Sequence, residues 1–214
     1  MSSKIKKIAS ILLCATLMMT LLAGCGGRST DVPQTEETDL TNDSKVLVVY
    51  FSWSGHLQTM SHWIADETGG DIVRVVTKEP YPEDYNATAD RAKKEQDDGT
   101  RPEITIELTE EELAKYDTIF LGFPVWWYDL PMPMWTFLES ADLSGKTVIP
   151  FFSHEGSSNG ASSLGTIEKL AEGAEVKSGD ALSIRGGSVD SSEEEVREWV
   201  RNLGYLRPLS HFAH

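Results

Sequence analysis

The chain has 214 residues, with 34 Asp and Glu against 19 Lys and Arg, and a formal net charge of -15. So acidic a chain repels nucleic acid, and we exclude nucleic-acid binding as its function. Its two cysteines, Cys14 and Cys25, lie near the N-terminus, so the remainder of the chain has neither a disulfide nor thiol chemistry. We predict no metal site.

Residues 1–24 resemble a bacterial lipoprotein signal peptide. Three lysines precede a mostly apolar stretch from Ile8 to Leu22. The sequence LAGC, residues 22–25, then places small residues before Cys25, as at a lipoprotein cleavage site. We therefore expect Cys25 to carry lipid and to anchor an extracytoplasmic protein to the cell membrane. A transmembrane anchor is the alternative, but the apolar stretch is short for a span.

The rest of the chain divides by composition. Residues 25–44 are rich in Gly, Ser, Thr and acidic residues without apolar periodicity, which predicts a flexible tether. Residues 45–206 are enough for one domain with a full-sized core. We assign no role to the tail, 207–214.

Strand and helix patterns alternate along the domain. The predicted strands are 46–51, 71–76, 117–123, 146–152 and 181–184. The predicted helices are 60–68, 85–96, a helix opened by a capping box at Thr109 and Glu112, 133–139, 163–171 and 191–203. This alternation predicts a doubly wound α/β domain with a parallel sheet covered on both faces. Residues 80–108 are more polar and form an insertion that could roof a site.

The stretch YFSWSGHLQT, residues 50–59, directly follows the first predicted strand. Ser52, Ser54 and Thr59 offer hydroxyl donors, and Gly55 permits a tight turn. The backbone amides of residues 55–58 then open a helix, and such free amides bind phosphate without a basic side chain. The loop has neither the Walker pattern nor the three spaced glycines of a dinucleotide site. An ordinary serine-rich turn is the alternative.

The second loop, GFPVWWYDLPMP, spans residues 122–133. Trp126, Trp127 and Tyr128 are consecutive aromatic residues in a segment held by three prolines, which suits stacking on a flat ring. They could instead be core aromatics beneath a loop. Because three consecutive side chains cannot all face one core, we expect at least one to point to solvent or ligand.

The third loop, SHEGSSNG, spans residues 153–160. Its small polar residues suit the polar rim of a heterocycle. A single loop histidine such as His154 is often an ordinary surface residue, and its interest comes from lying beside the other two loops.

Taken together, the three loops resemble those of the flavodoxin family, with FSxSGxx, G-[FY]-P-x-W-W and H-x-G-S in that order. The resemblance extends from residue 45 to about residue 205. It implies a flavodoxin-like three-layer sandwich whose five-stranded parallel sheet has the order 2-1-3-4-5. It also implies flavin mononucleotide (FMN) as the cofactor, held at the switch point between strands 1 and 3.

The resemblance implies three sets of FMN contacts. The phosphate loop comprises Ser52, Ser54, Gly55, His56 and Leu57. The loop covering the isoalloxazine and ribityl chain comprises Pro124, Trp126, Trp127 and Tyr128. The loop at the other edge of the ring comprises His154, Gly156 and Ser157.

Three residues of the phosphate loop depart from the family pattern. Trp53 is bulky where small polar residues are usual, and His56 and Leu57 replace the commoner Asn and Thr. Because backbone amides are unaffected by these changes, we expect weakened rather than abolished phosphate binding.

Three functions remain open at this stage, because a fold alone does not choose among them. The first is low-potential electron transfer to a redox partner protein at the outer face of the membrane. A loop without Lys or Arg keeps positive charge from the ring and so disfavours the anionic reduced flavin. The second is an NAD(P)H-dependent FMN or quinone oxidoreductase, in which His154 could donate a proton to the reduced quinone. The third is a flavin-free surface binding module.

Overall fold

The structure is a computed structural model that describes residues 45–156 and 158–207. The predicted signal peptide and tether, Cys25, Ser157 and residues 208–214 lie outside the described residues. Among the helices of the described part, none is both long and apolar enough to cross a membrane.

The described residues form strands and helices in alternation. The strands are β1 (Val46–Tyr50), β2 (Asp71–Arg74), β3 (Val76–Thr77), β4 (Ile104–Thr105), β5 (Thr118–Pro124), β6 (Thr147–His154), β7 (Glu175–Val176) and β8 (Leu182–Arg185). The helices are α1 (His56–Thr68), α2 (Tyr85–Asp98), α3 (Glu110–Leu113), α4 (Met132–Ser140), α5 (Ala161–Leu170) and α6 (Glu193–Asn202). All five predicted strands and all six predicted helices are found, with shifted ends.

The main sheet is parallel and confirms the predicted order. Its strands run β2-β1-β5-β6, and both β7 and β8 pair with β6 beyond them. β7 pairs with the start of β6 and β8 with its end, so two short strands occupy the fifth position. A 3-10 turn at Ser178–Asp180 separates the two.

The strand predicted at 71–76 is broken in the structure. β2 ends at Arg74, and the Val75 amide still donates to the Tyr50 carbonyl at 2.8 Å. Val76–Thr77 then leaves the main sheet and pairs antiparallel with Ile104–Thr105. This small antiparallel ribbon joins the two ends of the predicted insertion, so the insertion has regular structure of its own.

Two apolar clusters lie on opposite faces of the sheet. Because successive strand residues face opposite sides, β1 supplies Leu47 and Val49 to one cluster and Val46, Val48 and Tyr50 to the other. Helices α1 and α6 cover the second face, and α3, α4 and α5 contribute to the first. The near-continuous apolar sequence of β1 follows from this burial on both sides.

Two helix ends follow sequence signals closely. Thr109 Oγ1 accepts from the Glu112 amide at 3.2 Å, and Glu112 Oε2 accepts from the Thr109 amide at 2.8 Å, which confirms the predicted capping box. The helix it opens is only one turn long. At the start of α2, Asp84 Oδ1 accepts from the Ala87 amide at 2.8 Å.

Candidate functional site

A cavity of about 390 Å³ opens at the carboxyl ends of β1, β5 and β6. We call it the strand-end cavity. The predicted site residues that line it are Ser54, His56, Pro124, Trp126, Trp127, Tyr128 and His154. Ligands of open α/β sheets bind at such a position. The structure therefore brings the three predicted loops together around one space.

The first loop turns sharply around Gly55. The Gly55 amide donates to Ser52 Oγ at 3.1 Å, and Ser52 is only 2% exposed, so this hydroxyl serves the turn. Gly55 has φ +96°, a left-handed backbone that favours glycine, and α1 begins at the next residue. Helix α1 thus begins where the loop prediction placed a helix start, four residues before the apolar pattern at 60–68.

The start of α1 is equipped to receive an anion. Among the described residues, no acceptor bonds the backbone amides of residues 56–58, and no side chain caps the helix. The hydroxyls of Ser54 and Thr59 also have no partner in the described part of the chain. Free amides at a helix N-terminus attract negative charge. The side chain of Leu57 is 1% exposed and packs in the core, so only its amide can contribute.

A basic side chain contacts the backbone of this loop, although the loop itself contains no Lys or Arg. Arg74 Nη2 donates to the Ser52 carbonyl at 2.7 Å. The contact arises because Arg74 pairs with Tyr50 in the β1–β2 register, which places it beside the end of β1. Sequence reasoning missed it because 22 residues separate the two partners.

The second loop contains a tight turn with two strained residues. Trp126 and Asp129 exchange backbone hydrogen bonds of 2.9 Å in both directions. Between them, Trp127 and Tyr128 have φ of +47° and +69°. Left-handed conformation costs about 1–2 kcal/mol for a residue with a side chain, and such strain often marks a functional site. Asp129 Oδ2 fixes the turn to α5 by accepting from Thr166 at 3.0 Å.

The three consecutive aromatic residues divide as predicted. Trp126 packs edge-on against Phe51 and Tyr81, with ring centroids 5.5 and 5.0 Å away. Trp127 and Tyr128 are 43% and 60% exposed and line the strand-end cavity. The expectation that at least one of the three points to solvent or ligand is confirmed.

The third loop brings His154 to the strand-end cavity. His154 Nδ1 accepts from the Gly156 amide at 2.8 Å, so a neutral ring carries its proton on Nε2. Gly156 has φ +93°. Ser157 lies outside the described residues, and its predicted contact stays a prediction.

The insertion supplies the fourth wall of the cavity. Tyr85, Thr88, Ala89 and Ala92 of α2 line it. The sequence indicated that the insertion could roof a site but did not single out these residues. Their signal is the helical spacing of residues 85, 88, 89 and 92, which places them on one face of α2.

Both loop tryptophans next to the insertion are bonded to it. The Trp53 indole N–H donates to the Pro82 carbonyl at 2.9 Å, and the Trp127 indole N–H donates to the Ala89 carbonyl at 2.9 Å. The Trp53 ring also lies 6.3 Å from that of Tyr85. Trp53 was noted in the sequence only as a departure from the usual loop, and its partner in the insertion explains its size.

The end of β8 approaches the same loops. A Cβ atom added to Gly186 would lie 2.3 Å from Glu155 Oε1 and 2.9 Å from the His56 ring, so a larger residue here would require these two side chains to move. Arg185 lies beside Gly156. These contacts were missed because no residue pattern marks the segment after the last predicted strand.

The lining of the strand-end cavity carries little charge. Among the described residues, this lining includes Glu155, His56 and His154 but no Lys or Arg. The described residues contain no group of three or more His, Cys, Asp or Glu side chains that could hold a metal ion.

Comparison with known proteins gives consistent matches. A family model described as Flavodoxin matches residues 45–203. A flavoprotein from Lactobacillus acidophilus, solved in complex with FMN, is 27% identical with a TM-score of 0.56, covering 69% of this chain and 97% of its own. A candidate flavoprotein from Bacteroides uniformis is 30% identical with a TM-score of 0.62, covering 74% and 98%. One from Bacteroides eggerthii is 29% identical with a TM-score of 0.60, covering 75% and 98%.

Proposed function

Because the chain belongs to the flavodoxin family, we propose that it is an FMN-binding redox protein that transfers electrons at low potential. The observation that carries the proposal is the strand-end cavity, which is lined by His56 at the uncapped start of α1 and by the exposed rings of Trp127 and Tyr128. The Lactobacillus relative, solved with FMN, supports the choice of cofactor.

The residues present fit FMN at both ends of the molecule. The amides of residues 56–58 and the Ser54 and Thr59 hydroxyls would hold the phosphate dianion, without a basic side chain lining the cavity. Arg74 would add long-range attraction from behind the loop. Trp127 and Tyr128 would cover the flat ring, and a volume of about 390 Å³ is within the range of cofactor pockets.

The bound cofactor would supply the electron transfer itself, and the protein would set its potential. Glu155 lines the cavity, and no Lys or Arg does so in the part of the chain that the structure describes. Negative charge near the ring disfavours the anionic reduced state and so lowers the potential. His154 also lines the cavity, and its neutral ring would offer the Nε2 proton as a hydrogen-bond donor.

A second candidate function is supported by the wall that α2 forms. Tyr85 is 67% exposed and faces the same cavity as Trp127 and Tyr128. Such an aromatic rim suits a second flat ring, as in an NAD(P)H-dependent FMN or quinone oxidoreductase. In that case His154 Nε2 would donate a proton to the reduced quinone.

Two assays separate these functions. The FMN-loaded protein is equilibrated with reference dyes of known potential, and NADPH oxidation is then followed with and without a quinone. The proposal expects a potential below that of free FMN and no appreciable NADPH turnover. Rapid NADPH oxidation dependent on quinone contradicts it and favours the oxidoreductase. Replacing His154 by Gln then tests the proton donor.

We further propose that the domain is held at the outer face of the membrane by lipid on Cys25, which lies outside the described residues. The basis is the LAGC sequence at residues 22–25. Replacing Cys25 by Ala should move the protein from the membrane fraction to the soluble extracytoplasmic fraction. Membrane association that survives this change contradicts the proposal.

A further inference from the structure

Two tryptophans from different loops make the same kind of contact with one segment. We define the α2 segment as residues 80–98. Trp53, from the loop after β1, donates its indole N–H to the Pro82 carbonyl at 2.9 Å. Trp127, from the loop after β5, donates to the Ala89 carbonyl at 2.9 Å. The α2 segment is thus bonded to both sides of the strand-end cavity.

We propose that Trp53 and Trp127 are positioning residues that latch the α2 segment across the cavity. When these two indole hydrogen bonds break, helix α2 becomes less ordered, and a ligand leaves the cavity faster. The part that concerns the cofactor rests on the proposed function, whereas the coupling to α2 does not.

Helix α2 has little apolar burial to hold it in place. Of its 14 residues, only Thr88, Ala92 and Glu95 are buried, and their side chains are small or polar. A helix of this length is marginal on its own in water. Segments with few buried apolar contacts open at low free energy. Specific hydrogen bonds therefore have a large influence on where α2 lies.

Other hydrogen bonds lie within the α2 segment itself. Arg91 Nε donates to Glu95 Oε1 at 2.8 Å, and Arg91 Nη1 donates to the Pro80 carbonyl at 2.9 Å. The Tyr81 hydroxyl also donates to Glu95 Oε2. These bonds lie within the α2 segment and hold its shape. These hydrogen bonds do not attach it to the two loops, although the Tyr81 ring packs edge-on against Trp126 of the second loop.

The loop side depends on the two tryptophans and their neighbours. The side-chain amide of Gln96 donates to the Trp127 carbonyl at 3.3 Å, a longer contact than either indole bond. Trp127 also has a left-handed backbone, and this conformation is unfavourable for a residue with a side chain. The bond to Ala89 offsets this strain and explains why so large a side chain occupies the turn.

Opening the latch would remove one wall of the cavity. Tyr85, Thr88, Ala89 and Ala92 line it, and all four belong to α2. Because they move with the helix, a ligand held between the loops and α2 leaves more easily when the latch is open. Bound ligand in turn holds the wall in place.

The test replaces each indole with a ring that cannot donate. The variants are Trp53→Phe and Trp127→Phe, and the control is Trp199→Phe. The Trp199 indole N–H donates to the Asp180 carbonyl at 2.7 Å, away from the cavity, so the chemical change is matched.

Amide hydrogen exchange is measured on the FMN-free protein. Loss of one such bond should speed exchange in residues 85–98 by about 3- to 10-fold in both test variants and leave it unchanged in the control. Exchange in α2 that matches the control in either test variant overturns the latch.

The release rate of FMN provides the second readout. It should rise by about 3- to 10-fold in both test variants and stay at the wild-type value in Trp199→Phe. Faster release from Trp127→Phe without faster α2 exchange would indicate a stacking role alone and would overturn the latch. Faster exchange with unchanged release overturns the coupling to the cofactor. If the wild-type protein does not bind FMN, the proposed function fails, while the exchange experiment still decides the latch.

Discussion

Gly55 allows a direct test of the first loop, because the effect of backbone strain can be separated there from the effect of a steric clash. Its φ is +96°, and a Cβ atom built at this position meets nothing within 4 Å. Replacing Gly55 by Ala therefore introduces no clash. The whole effect comes from asking a residue with a side chain to adopt a left-handed conformation, which costs about 1–2 kcal/mol.

The strain can appear in two places. If the FMN-free loop relaxes to a negative φ, the protein keeps its stability and FMN must restore the strained turn. Affinity then falls by the full strain, which corresponds to about 5- to 30-fold in Kd. If the loop cannot relax, unfolding free energy falls instead, partly offset by about 0.4–1 kcal/mol from the stiffer unfolded chain. The combined loss of binding and unfolding free energy should thus equal the strain less this offset.

Gly145→Ala is the matched control. Gly145 has φ +73°, and a Cβ atom there also meets nothing within 4 Å, but the residue precedes β6 at the opposite end of the sheet from the loops. FMN affinity is measured by quenching of flavin fluorescence, and stability by urea unfolding. Gly145→Ala should lose stability alone. If Gly55→Ala binds FMN as tightly as Gly145→Ala and unfolds at the wild-type urea concentration, our account of the phosphate loop is wrong.

Three further predictions concern charge and packing. Arg74→Ala removes the guanidinium behind the first loop and should raise the Kd for FMN by about 3- to 10-fold in a fluorescence titration, with Arg74→Lys intermediate; an unchanged Kd would show that this contact is irrelevant to binding. The Arg101 guanidinium, hydrogen bonded to Glu139, lowers the pKa of that carboxyl, so its contribution to stability is present above the ordinary pKa of 4.5 and is lost as the pH falls through the lowered value. Glu139→Gln should therefore lose less stability on acidification than the wild type in urea unfolding at neutral and acid pH, and equal losses would contradict this. Gly122→Ala places a Cβ atom 2.3 Å from the buried Phe151 ring and should lower the unfolding free energy by about 1–3 kcal/mol, whereas an unchanged urea midpoint would mean that the ring moves aside freely.

The order of elements was accessible from the sequence because buried parallel strands have distinctive patterns. The apolar run in β1 and the Thr109 capping box each depend on neighbours a few residues away. The two-part fifth strand was not accessible, because β7 has only two residues and carries no periodicity. The break after Arg74 was also missed, since Val75 and Val76 continue the apolar run although only Val75 remains at the main sheet.

The site was predictable where its residues follow a strand directly. Ser54, the aromatic residues of the second loop and His154 meet at one cavity because the carboxyl ends of neighbouring strands share one edge. Contacts that depend on strand register or on the fold of the insertion could not be foreseen. Arg74 reaches Ser52 through the β1–β2 pairing, and the Trp53 bond to Pro82 requires the position of α2.

The central claim is that the strand-end cavity binds FMN, and a titration of the purified protein with FMN tests it most directly. Free flavin fluorescence should be quenched as the ring comes to lie against Trp127 or Tyr128, with saturation at one FMN per chain. Gly55→Ala in parallel should shift the curve to higher concentration if its stability is that of the wild type. A protein that leaves micromolar FMN fully fluorescent would contradict the account. It would also favour a flavin-free binding module. In that case Trp53, His56 and Leu57 prevent the first loop from binding the FMN phosphate.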